Sequence, residues 1–390
     1  MTEVIGLLVD PGLPEARVRD LLPELREIAR QQAQLWTQNV DLGTAGAWID
    51  SVDASDPLPT GNTEVATVSV PARLDLRVGT LPMDQEGNVR LAHSAPGILQ
   101  DRGWDRMIYV TDLPLTTRRP VISQSVENGR ATMLCLPAFG LLRARDALRQ
   151  EMTRLVKGLP AGAGVPETQV AEIEGGDSSA QTTRVLEGRG RVLRLWLGMI
   201  RCNRPDKLIR VLSGCLATGV ATGAFSFFYG SVWAMSSLIA VWRLSLITFV
   251  AITALTFWLI YHNGLWNKWR GQNLDSLTRW RRRIDNLATV GTVALAATGI
   301  YALIYLILLL FAATVVPIPY FAQMINSEVA ITDYLTLAWF TTSLGTMAGA
   351  LGSGFDSDDS IREATYNRRE HRRREITGLF DDNGPDGNRN

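Results

Sequence analysis

The residues best suited to chemistry in this chain are an aspartate and two arginines. Asp112 closes the apolar run Met107–Thr111, and Arg118 and Arg119 lie just beyond it. Open α/β sheets take their ligands at the carboxyl ends of strands, where a carboxylate facing two guanidiniums holds a polar ligand. The competing reading is local: Asp112 caps the turn before Pro114 and the arginines are solvated. The candidate ligand-binding set is therefore Asp112, Arg118 and Arg119, and no catalytic residue is assigned.

Other chemistries find little support. There is no GxGxxG, no GxxxxGK[ST] and no GxSxG. Histidine occurs only at His93, His262 and His371, without an HExxH, and the acidic residues lack calcium-loop spacing. Neither a metal nor a cofactor is expected. Cys135, Cys202 and Cys215 are far apart and odd in number, which points to reduced thiols in a cytoplasmic setting. A formal net charge of +0 gives no basic field for nucleic acid.

The elements that would position Asp112 are legible in the first 157 residues. Val4 to Val9 reads as a buried strand closed by Asp10-Pro11-Gly12, and Pro14 to Gln34 as a helix with Val18, Leu21, Leu22, Leu25 and Ile28 on one side. Further strands are expected at 35–42, 67–70, 74–78 and Met107–Thr111, with a helix over Leu91–Arg102. VISQSV and ATMLCL flank Asn128-Gly129, the strongest short hairpin signal. Leu141 to Val156 closes the domain as an Arg-rich helix. The expected fold is an α/β cytoplasmic domain over 1–157, a mixed sheet with one hairpin.

After it the composition changes. Residues 158–183 (GLPAGAG, then GGDSS) read as a flexible linker. Residues 184–206 read as a basic amphipathic juxtamembrane helix, with Arg191, Arg194, Trp196, Arg201 and Arg204 at the membrane interface. The alternative is an ordinary helix packed on the α/β domain. Residues 211–242, 244–261, 287–316 and 334–355 carry no charged side chain. A bilayer core needs about 20 apolar residues of helix. The expectation over 207–352 is an all-α transmembrane bundle of four helices, near 209–230, 243–262, 288–312 and 331–351. Gly219-x-x-x-Gly223 and Gly345-x-x-x-Gly349 offer close helix contacts, within the bundle or between copies.

Orientation follows from the arginines. Arg201, Arg204, Lys207 and Arg210 precede the first span, and Lys268, Arg270, Arg279, Arg281, Arg282 and Arg283 follow the second. The other two connections are nearly free of cations. The basic segments share one side, so both termini are expected in the cytoplasm of a multi-pass plasma-membrane protein. The tail, 353–390, contains RREHRRRE and reads as largely disordered. The start has acidic Glu3 and an apolar run ending at Asp10, unlike a signal peptide.

The phrases MIYVTDLPL, RRPVISQ, MLCLPAFG, GMIRCNRPDKLIRVLSG and DYLTLAWFTTSLGTMAGALGSG resemble a family of actinobacterial four-span membrane proteins of unassigned function. The likeness runs over most of residues 100 to 366. A methylenetetrahydrofolate dehydrogenase activity has been attached to some members, but this chain has neither a dinucleotide loop nor a placed catalytic lysine. The order of elements from Met107 to Val156 is also similar to a zincin peptidase core, whose HExxH is missing here. The resemblance implies location, not mechanism. The expected function is a non-catalytic binding or assembly module; the alternatives are a membrane-tethered cytosolic enzyme and a small transporter. Expected partners are the lipid bilayer and anionic headgroups, with a second copy or another protein as further candidates.

Overall fold

The computed structural model describes residues 3–41, 72–82, 89–114, 119–126, 129–158, 170–174, 182–266 and 276–352. They fall into two compact units, Met1–Cys202 and Asn203–Asn390.

The first unit runs β1 (Glu3–Val9), α1 (Leu13–Asp41), β2 (Ala72–Val78), α2 (Leu91–Arg102), β3 (Arg106–Thr111), β4 (Val121–Val126), β5 (Ala131–Cys135), α3 (Ala144–Val156), β6 (Val170–Glu174), β7 (Thr182–Leu186) and α4 (Arg191–Cys202). Its seven strands form one mixed sheet in the order β2-β1-β3-β5-β4-β7-β6. β2, β1, β3 and β5 are parallel, and β4, β7 and β6 continue antiparallel. Parallel strands covered on both faces read as unbroken apolar runs. That is why VIGLLV and MIYVT form the buried middle, with Ile5, Leu7, Val9, Tyr109 and Val110 inaccessible to solvent. Gly6 lets the Trp104 ring lie directly on β1, since a Cβ there would be 1.9 Å from a ring carbon. The indole Nε1 then donates to Asp75 on β2 at 3.1 Å.

The α/β character, the mixed sheet and the hairpin of β4 with β5, paired from Val126↔Ala131, are as the sequence indicates. Three expectations differ. Residues 35–41 continue α1 instead of making a strand. No Gly or Pro interrupts them before Gly43, and extending an existing helix adds a hydrogen bond per residue without a new nucleus. The expected strand at 67–70 lies outside the described residues. The stretch 158–183 is not linker throughout: Val170–Glu174 and Thr182–Leu186 pair antiparallel and extend the sheet from β4. Alternation in VAEIE carried that signal, and its acids suit an edge strand, where charge discourages further pairing.

One ion cluster ties this added hairpin to the core. Glu151 on α3 is buried and pairs with Arg154 at 2.5 Å and with Arg184 on β7 at 2.9 Å.

The second unit contains α5 (Pro205–Val211), α6 (Ser213–Ser226), α7 (Gly230–Leu238), α8 (Val241–His262), α9 (Ser276–Val315), α10 (Ile318–Ile325) and α11 (Ile331–Gly352). Among the described residues two helices, α8 and α9, are long and apolar enough to cross a membrane, and the bent pair 191–211 with 213–226 makes a third if it is one span. α11 is less apolar because it lies inside the bundle: Leu337, Ala338, Thr341, Thr342 and Ser343 are fully buried. Its hydroxyls mostly satisfy themselves on their own helix, as Thr342 does on Ala338 O at 2.6 Å. The two small-residue motifs meet within the chain. A Cβ on Gly345 would be 2.3 Å from Gly219 O, and one on Gly349 would be 2.8 Å from Cys215 O, so the backbones of α6 and α11 touch directly.

Candidate functional site

The sheet order reverses direction between β1 and β3: from β1 the chain moves first to β2 on one side, then to β3 on the other. The crevice outside the carboxyl ends of these strands is where open α/β sheets bind ligands. Two buried aspartates stand there, Asp10 after β1 and Asp112 after β3.

Asp10 is held on both oxygens. Tyr109 Oη donates to Oδ1 at 2.6 Å and Thr111 Oγ1 donates to Oδ2 at 2.5 Å. Tyr109 and Thr111 are two apart on β3 and so share one face of the strand. The backbone of Asp10 joins the same strand, its N–H donating to Val110 O at 3.0 Å, while its carbonyl accepts from Glu15 N–H at 3.1 Å in the first turn of α1. Thr111 Oγ1 also accepts from Leu113 N–H at 3.1 Å, and the Cys135 thiol donates to Leu113 O at 3.2 Å. The result is a rigid carboxylate cradle at the switch point.

The expected trio is only partly assembled. Asp112 is buried at the carboxyl end of β3, in line with its expected place. Arg119 forms an ion pair with Glu187, after β7, in a part-exposed position. Arg118 lies outside the described residues. Sequence reasoning missed Asp10, although a signal exists: LLVD and YVTD are the same pattern, an apolar parallel strand ending in aspartate.

The expected interface residues lie mostly on α4, which docks on the α/β unit. α4 buries Leu195, Met199, Ile200 and Cys202 within the first unit, leaving Val192 and Leu193 outside. Gly198 permits this docking, because a Cβ there would be 1.9 Å from Pro137 O in the 3₁₀ turn Leu136–Phe139. Arg201 donates to Gly140 O at 3.0 Å. Arg191, Arg194 and Trp196 are half-buried on the same helix. Burial lowers the pKa of Arg194 and of Arg201 from the usual guanidinium value; at Arg201, Cys202 opposes this and Arg17 adds to it. The helix thus spends most of its apolar face on the α/β unit. Arg204 belongs to the second unit, where it precedes α5 in a left-handed conformation (φ 52°).

The second unit has a polar centre of its own. Trp339 Nε1 donates to Thr248 Oγ1 at 2.7 Å, and Thr248 donates to Leu244 O at 2.9 Å. Tyr301 Oη lies 3.0 Å from Thr248 Oγ1 and 2.9 Å from Ser343 Oγ. One chain of hydrogen bonds thus ties α8, α9 and α11 together. Nearby on α9, Thr292 accepts from Asn203 Nδ2 at 3.0 Å.

Among the described residues no group of three or more His, Cys, Asp or Glu side chains has the geometry to hold a metal ion. Compared with known protein families, with curated proteins and with solved structures, the chain matches none.

Proposed function

We propose that this is a multi-pass plasma-membrane protein of four crossings whose α/β unit is a cytoplasmic, non-catalytic binding or assembly module. One observation carries the membrane part of this reading. The long helices of the second unit show solvent their apolar side chains, with Phe249 and Phe257 each 68% exposed and Leu310 67%, while Thr341, Thr342 and Ser343 are fully buried. Apolar outside and polar inside suits hydrocarbon, where buried hydroxyls must find partners and surface leucines need none. The one-sided arginines support cytoplasmic termini and a cytoplasmic 263–286 connection. The module reading is supported by the internal engagement of Asp10, whose two carboxylate oxygens both serve β3.

Reporter fusions test the topology. A fusion after Ser236 or after Asn326 is expected to be active with an exported reporter and silent with a cytosolic one. A cytosolic reporter active at either site defeats the four-crossing arrangement.

A membrane-tethered enzyme is the second reading, favoured by the placement of Asp10 and Asp112 at the switch point between β1 and β3. It requires a small-molecule ligand in that crevice, with Asp112→Asn abolishing its binding while the melting temperature stays unchanged.

A further inference from the structure

The surface of the first unit contains an apolar tip. After Gly140 the chain bends through Leu141, Leu142 and Arg143 before α3 begins. Leu142 is 83% exposed and Leu141 49%, an uncommon arrangement for adjacent leucines on a folded domain. Arg143 holds a left-handed backbone at φ 54°, which a non-glycine residue adopts at a cost, so the outward turn is imposed by its surroundings.

The base of this tip is fastened to α4. Arg201 donates to Gly140 O at 3.0 Å, and the aliphatic part of Arg194 lies so close to Gly140 that a Cβ there would be 2.8 Å from Arg194 Cγ. Leu193, 57% exposed, is the neighbour of Arg194 on α4. The base of the tip and α4 are therefore neighbours, although about 50 residues separate them in sequence. Arg143, Arg145 and Arg189 are exposed on these segments and Arg191 is half-exposed, against the single exposed acid Asp146.

We infer that Leu141, Leu142 and Leu193, with Arg143, Arg145 and Arg191, form a docking surface for an anionic lipid bilayer. The inference rests on the membrane reading above and adds to it a contact made by the α/β unit itself. Leucines suit the boundary between headgroups and acyl chains, and guanidiniums bind phosphate oxygens in pairs. The combination selects a lipid surface over an acidic protein: an acidic partner would answer the guanidiniums, but adjacent leucines 49% and 83% exposed call for an apolar phase beneath the anionic groups. The lipid-facing part of α4 is thus its first turns and the tip, while its middle serves the fold.

The test uses the full chain in phosphatidylcholine vesicles, with or without phosphatidylglycerol. An environment-sensitive fluorophore is attached in turn at Leu142→Cys, Leu193→Cys, Arg19→Cys and Leu306→Cys; Cys135, Cys202 and Cys215 are buried. Quenching by brominated lipid is then read. Labels at 142 and 193 are expected to be quenched in the anionic vesicles, and the label at 19, on exposed α1, to be unquenched. Omitting phosphatidylglycerol, or adding Arg143→Glu, should reduce quenching at 142 by about threefold or more, since each basic group near an anionic surface is worth roughly a factor of five. An unquenched label at 142 while 306 is quenched overturns the docking surface alone. Shielding at 142 that ignores brominated lipid but rises with protein density also overturns it, in favour of a second copy. An unquenched 306 removes the membrane reading, and the docking surface with it.

Discussion

At the scale of single residues, the most consequential group is the carboxylate of Glu151. It is nearly inaccessible to solvent and accepts from Arg154 and Arg184 within 2.9 Å. Removing one partner of a buried ion cluster leaves charge without compensation, a loss of about 3–5 kcal/mol. Glu151→Ala is therefore expected to lower the stability of the first unit by that order, measured by denaturant unfolding followed by tryptophan fluorescence. Replacing Glu151, Arg154 and Arg184 together by Met should cost much less, because well-packed apolar side chains substitute for such clusters. Equal losses in the single and triple variants would show that packing volume, not charge pairing, governs the position. Glu151 was unremarkable in the sequence, one acid in an Arg-rich helix. Its partner Arg184 is 33 residues away and becomes visible only when β7 pairs with β4.

At the scale of elements, the α/β unit ends later than composition indicates. β6, β7 and α4, beyond the glycine-rich stretches at 158–164 and 175–179, complete the sheet and its cover. Residues 1–157 alone would leave β4 as an unpaired edge and uncover the Pro137 turn, an invitation to aggregate. Expression of 1–202 is expected to give a soluble, cooperatively melting protein, and 1–157 an aggregated one. A soluble 1–157 with the same melting temperature would mean that the added hairpin and α4 contribute nothing. Gly198→Leu in 1–202 is expected to release α4, since the side chain would collide with Pro137 O, and protection of α4 amides from hydrogen exchange should then fall.

At the scale of the whole molecule, charge and hydropathy divide the labour. A net charge of +0 conceals basic connections, which fall on one side if the uncharged runs make four crossings. If that side is the cytoplasm, trypsin added to inverted membrane vesicles should remove an epitope at the N-terminus, and trypsin added to intact spheroplasts should leave it. Arg19 and Arg30, both well exposed on α1, are among the sites available to it. Loss of the epitope in spheroplasts would reverse the orientation and place the α/β unit outside.

What the sequence determined by itself was local. Apolar runs ending in turn residues set β1 and β3, Asn128-Gly129 set the hairpin, and helical spacing set the first part of α1, because each signal operates within a few residues. Uncharged stretches marked α8 and the apolar part of α9 for the same reason, since the cost of charge in hydrocarbon is borne residue by residue. Tertiary structure decided the rest. Asp10 meets Thr111 across 101 residues, and no short window contains both. Arg119 pairs with Glu187, a partner that depends on where β7 lies. The amphipathic character of α4 was evident from its residues, but not what its apolar face would meet. Lipid and a protein core both accept Leu195, Met199 and Ile200, and only the close approach of Gly198 to Pro137 settled it for the core. α11 shows the converse: its threonines make it poorly suited to face lipid, and surrounding helices spare it that exposure.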